Sequence, residues 1–62
     1  KVDVNLYIKS VILALSEKYS LDIKSARRMV EKSSLLKCLE YYPEITAHEP
    51  LEAWVDDIYF NF

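Results

Sequence analysis

Sixty-two residues with a formal net charge of −2 and 52% apolar content make one domain at most, which buries only about 60% of the surface its unfolded chain exposes. The chain has no glycine, which removes the dinucleotide-binding and phosphate-loop fingerprints, and its one cysteine, Cys38, excludes an internal disulfide and a cysteine-based zinc site. No run approaches the roughly 18 apolar residues of a membrane span, and Asp3, Asn5 and Lys9 break the start KVDVNLYIKS where a signal peptide would be apolar. With the lone cysteine and no cofactor motif, a soluble, cytoplasmic protein without a cofactor is expected.

The first element is a helix from Val4 to about Tyr19, with Asp3 in the N-cap position. Val4, Tyr7, Ile8, Val11, Ile12, Leu15 and Tyr19 recur at the spacing of one helical face. Leu6 and Leu13 fall on the opposite side. Either this helix lies centrally and is covered on both sides, or the two leucines face a second copy and make the protein a homodimer.

Ser20-Leu21-Asp22 interrupts the pattern, and Asp22 caps a second helix from Ile23 to about Lys32. Ile23, Ala26, Met29 and Val30 form its inner stripe, while Lys24, Arg27, Arg28 and Lys32 give it a basic outer face. Such a row is an ordinary solvated surface or a phosphate-binding one. Ser33-Ser34 provides a new N-cap, and Leu35, Leu36, Cys38, Leu39 and Tyr42 build a short third helix that Pro43 ends. Cys38 reads there as a small buried apolar residue.

Glu44 to Ala47 reads as a loop into the last helix, whose start has two registers. Thr46 with Glu49 fits a capping box, and Pro50 fits a first helical position with the cap at His48 or Glu49. On a helical wheel Leu51, Trp54, Val55, Ile58, Tyr59 and Phe62 share one apolar face, with Trp54, Ile58 and Tyr59 expected in the core. Asp56 and Asp57 lie outward, with Phe60 about 180° from Leu51. The fold class that follows is all-α, a small bundle of three to four helices with short connections, forming a single helical domain over residues 1–62.

The charges are unevenly distributed. Residues 1–37 hold all eight Lys and Arg with four acids, net +4, whereas residues 38–62 hold six acids and no base, net −6. Six of the eight aromatic residues also follow position 40. Aromatic rings are enriched at the centres of protein interfaces, and flanking carboxylates steer a basic partner toward them. Glu52, Trp54, Asp56, Asp57, Tyr59 and Phe60 are therefore the candidate partner-binding residues.

Catalytic patterns are missing. Asp56 and Asp57 are adjacent, which on a helix turns them about 100° apart and prevents them from converging as an acid/base pair. One His and one Cys with scattered acids make no metal site, and His48 has no recognisable nucleophile beside it. The rival function is DNA-binding regulation through Lys24, Arg27, Arg28 and Lys32 on a helix-turn-helix. Against it, the following SSLLKCLEYY is mostly apolar where base-reading polar side chains belong, and the acidic half repels phosphate.

Three stretches, EKYSLDIKSA, LLKCLEYYPEIT and above all WVDDIY within EAWVDDIYFNF, resemble a family of short bacterial proteins of unknown function. Members are often encoded beside ADP-ribosyltransferase-like toxin candidates and are suspected to be their antitoxins. The resemblance covers most of the chain and departs at His48-Glu49-Pro50, where the family commonly has glycine. It implies an antitoxin-like inhibitor of a toxin enzyme and assigns no catalytic residue; the acidic, aromatic last helix adds that the site it covers on that partner is basic.

Overall fold

The computed structural model describes residues 2–62. Five helices follow one another without strands among those residues: α1 (Val4–Tyr19), α2 (Ile23–Lys32), α3 (Leu35–Tyr41), α4 (Pro43–His48) and α5 (Leu51–Phe60). The all-α class is as expected, with one helix more than the three to four anticipated.

Local chemistry explains most of the boundaries. Asp3 caps α1 as expected, its Oδ1 accepting from the Leu6 amide at 3.1 Å. At the other end the chain turns through Ser20, which takes the left-handed conformation (φ 55°, ψ 45°) that glycine usually fills. The Ser20 and Leu21 amides both donate to the Ser16 carbonyl, and the Ser16 hydroxyl donates to the Leu21 carbonyl, so the turn is held by the helix it ends. Asp22 starts α2 without a side-chain capping bond. At the α2–α3 junction Ser33 is the capping residue: its hydroxyl donates to the Val30 carbonyl at 2.6 Å and accepts from the Leu35 amide at 3.2 Å.

The region after Tyr41 departs from the sequence reading. Pro43 ends α3 and also begins α4, in the first-turn position where its missing N–H costs nothing. The expected loop from Glu44 to Ala47 is thus helical. Both expected starts of α5 are corrected as well: Pro50 itself is the N-cap, and Thr46 lies inside α4.

The core is formed by Val11, Ile12 and Leu15 of α1, Ala26, Met29 and Val30 of α2, Leu35 and Leu39 of α3, and Val55 and Ile58 of α5. Helix α1 packs against α2 and α5, and α3 packs against α4. Its far side is open: Leu6 and Leu13 are 61% and 55% exposed, so α1 is not covered on both faces. Ile23, expected inward, is exposed at the solvent-facing start of α2, and Phe62 is exposed because it lies beyond the end of α5. Cys38 is half-buried and Tyr42 exposed, since α4 folds back beside α3 without closing over them.

Candidate partner-binding surface

Two structures occupy the two flanks of α5. On the α1 side, Lys18 and Tyr19 in the last turn of α1 converge on Asp56. Lys18 Nζ donates to Asp56 Oδ1 at 2.8 Å, and the Tyr19 hydroxyl donates to the same oxygen at 2.7 Å. The hydrogen bonds from Lys18 and Tyr19 hold the Asp56 carboxyl below the usual aspartate value. The same bonds, with Asp56 the leading cause, raise Lys18 and Tyr19. Above this node the Tyr19 and Tyr59 rings are stacked, with centroids 3.7 Å apart and planes 1° from parallel. Phe60 meets both edge-on, at 5.9 Å and 5.3 Å.

This arrangement corrects two expectations. Asp56 is not a free outward carboxylate but the fastener between α5 and α1, supporting the surface from behind. Tyr59 is not a core residue; it is exposed on one side and stacked on Tyr19 on the other. Glu52 lies 4.0 Å from Lys18 and is otherwise solvated, a contact too long and too exposed to hold it. Phe60 is 72% exposed, the outward position read from the helical wheel.

On the other flank, α5 and the α3–α4 pair enclose a groove of about 520 Å³. Helix α3 and its cap contribute Cys38 and Tyr42, α4 and its cap contribute Ile45, Thr46 and Glu49, and α5 contributes Ala53, Trp54 and Asp57. One buried side chain organises it. Thr46, 4% exposed, donates its hydroxyl to the Cys38 carbonyl at 3.0 Å, and its own carbonyl accepts the Trp54 indole N–H at 3.1 Å. Three helices are tied together through that residue, which fixes the Trp54 ring in the groove. Tyr42 and Ile45, 64% and 69% exposed, stand in its wall.

Asp57 belongs to this flank. The turn of about 100° between successive helical residues separates it from Asp56, and its only side-chain bond among the described residues comes from Asn61 Nδ2 at 2.8 Å. Of the six expected partner-binding residues, Trp54 and Asp57 line the groove, while Glu52, Tyr59 and Phe60 lie with Asp56 toward the α1 flank. Tyr42, Ile45 and Glu49 belong to the groove and were not anticipated. Their only sequence signal is that Tyr42, Ile45 and Glu49 recur at three- and four-residue spacing, which points to a common helical face once Pro43 is read as a start.

The basic residues Lys24, Arg27, Arg28 and Lys32 are all exposed on α2. Among the described residues the only ion pairs are those of Lys18, so this row is unneutralised. The helix that follows has little with which to read bases: its exposed charges are one Lys37 and one Glu40. No cluster of potential metal ligands occurs among the described residues, and none of their helices is long and apolar enough to cross a membrane. Comparison with family models, curated proteins and solved structures gave no match to this chain.

Proposed function

We propose that this protein is a non-enzymatic protein-binding module, an antitoxin-like inhibitor whose acidic, aromatic C-terminal region docks on a basic surface of a larger partner. The observation that carries this reading is the pairing of an unneutralised acid, Asp57, with the fixed Trp54 ring and the exposed Tyr42 and Ile45 in one groove. Interface centres combine a rigid aromatic anchor with a polar rim, and Asp57 and Glu49 form such a rim here. Glu52, Tyr59 and Phe60 extend the surface across α5, while Asp56 contributes by holding the helix to α1. Resemblance to the toxin-linked family supports the inhibitor role and suggests a toxin enzyme as the partner. Enzymes that bind nucleotide phosphates present the positive charge such a docking face needs.

The test is co-expression with the product of the adjacent reading frame. A complex is expected to survive gel filtration with the wild-type chain and to be lost with Asp57→Lys, whose circular dichroism stays helical. A complex that persists unchanged with Asp57→Lys overturns the placement.

The second reading, DNA-binding regulation, has its own observation: the unpaired basic row of α2. It expects a gel shift with duplex DNA that weakens steeply with salt and disappears with Arg27→Ala and Arg28→Ala together. Self-association through Leu6 and Leu13 is a third, and it expects a mass in light scattering that rises with concentration. Two leucines about 10.5 Å apart along a helix cover far less than the roughly 800 Å² per partner of a standard interface.

A further inference from the structure

We infer that the groove between α5 and the α3–α4 pair receives a cationic amphipathic helix, which seats apolar side chains against Trp54 and places its bases against Asp57 and Glu49. This rests on the protein-binding reading and specifies the shape and charge of what binds.

Three observations select this occupant. The first is charge: Glu49 and Asp57 stand in the groove wall, and residues 38–62, which supply every lining residue, contain no Lys or Arg. An anionic segment is repelled and a cationic one attracted. The second is openness. A volume of about 520 Å³ falls within the range of small-molecule sites. Such sites enclose most of their ligand, however, whereas Tyr42 and Ile45 remain more than half exposed in this wall. An open trough suits a rod that leaves its outer face in solvent. The third is the backbone. Helices form all three sides, so an extended peptide finds no strand edge on which to add. A helix brings its main chain already satisfied and needs only side-chain contacts. The bonds from Trp54 to Thr46 and from Thr46 to Cys38 fix the floor in advance, which lowers the ordering cost of binding.

The groove contains its own reporters, because Cys38 and Trp54 line it and are the only cysteine and tryptophan of the chain. The probe is a 15-residue peptide of leucine and lysine with leucines at i, i+3, i+4 and i+7, compared with a scrambled peptide of the same composition. At saturation the ordered peptide is expected to slow reaction of Cys38 with a thiol reagent by about tenfold and to shift Trp54 emission, with the scrambled peptide leaving both within about twofold. Asp57→Lys is expected to weaken binding by about tenfold. Ala53→Gln, at an exposed helical position that glutamine suits, fills the groove without changing its charge and is expected to abolish protection while the far-ultraviolet spectrum is unchanged.

An unchanged Cys38 rate with the ordered peptide overturns the inference, as does equal protection by the scrambled one, which reduces the effect to charge alone. A dimer that forms without peptide and itself protects Cys38 gives the groove to a second copy and overturns it too. Loss of the co-expressed complex with Asp57→Lys, together with no peptide protection, retains the docking face and rejects the helix. Peptide protection alongside a complex indifferent to Asp57→Lys retains the groove's preference and rejects its use by that partner.

Discussion

Replacement of Thr46 by valine tests whether one buried hydroxyl organises the C-terminal half. The two side chains have nearly the same shape and similar helix propensity, so the substitution isolates the bond from Oγ1 to the Cys38 carbonyl. That carbonyl keeps a second partner, the Tyr42 amide at 2.8 Å, and is not orphaned when the hydroxyl is lost. The cost is therefore that of an ordinary net hydrogen bond, about 1 kcal/mol, rather than the larger penalty of an unsatisfied buried acceptor. A chain of this length has a total stability of roughly 3–9 kcal/mol, so the loss is substantial, and it corresponds to a fall in Tm of about 4–8 °C. Thermal melts followed by circular dichroism at neutral pH give the shift directly. Trp54 emission supplies a second reading, since the indole bonds to the Thr46 main-chain carbonyl, which valine retains. A melting temperature equal to or above that of the wild type refutes the assignment of Thr46 as the tie between α3, α4 and α5.

The remaining predictions concern the core and the α1–α5 fastening. Leu15→Ala empties a fully buried position in α1 and should cost about 2–5 kcal/mol, a large share of the total, so the melting temperature by circular dichroism is expected to fall by about 8 °C or more. Asp56, whose folded value is depressed by Lys18 and Tyr19, contributes stability that is fully present above the unfolded aspartate value of about 3.9 and is lost as pH falls through its lower folded value. Urea titrations from pH 6 down to pH 2 should show that acid loss in the wild type and a shallower one in Asp56→Asn. Equal slopes in the two proteins would remove Asp56 from the fastening. The raised values of Lys18 and Tyr19 act in the opposite direction, so their share is present below their unfolded values and is lost as pH rises through the folded ones.

The first half of the fold was legible because its signals are local. Asp3 caps α1, the apolar period runs unbroken to Tyr19, and the bounds of α2 coincide with the break at Asp22 and the serine pair. The second half was read less well for a physical reason that Pro43 makes plain: proline ends one helix and starts another with equal ease, and only tertiary context says whether it does both. Local pattern makes residues 44–47 a loop and Thr46 a cap, which hides the face shared by Tyr42, Ile45 and Glu49. Without α4 the groove lacks a wall in the sequence, although two of its residues, Trp54 and Asp57, are among the candidate residues of the last helix. Nor did periodicity tell Asp56 from Asp57. The difference depends on Lys18 and Tyr19, 38 and 37 residues away, and contacts at that range leave no local pattern in a single sequence.

The two aspartates divide the work that a small chain has to do. With little core available, α5 needs polar support to stay on α1, and Asp56 provides it where Lys18 is within reach. Because Lys18 makes the only ion pairs among the described residues, folding leaves the other acids of residues 38–62 unneutralised at the surface. Glu40, Glu44, Glu49 and Asp57 accordingly stay exposed without a base within 4 Å among the described residues. Charge left free in this way acts chiefly on the rate of encounter and is screened by salt over about 8 Å at physiological ionic strength, whereas the apolar contacts at Trp54, Tyr42 and Ile45 govern how long a complex lasts. A partner held by this surface should accordingly associate more slowly as salt is added while its dissociation rate changes little, and filling the groove at Ala53 should do the reverse. The kinetic separation follows from the geometry, since Asp57 and Glu49 lie in the wall of the groove while the Trp54 ring is fixed within it by Thr46.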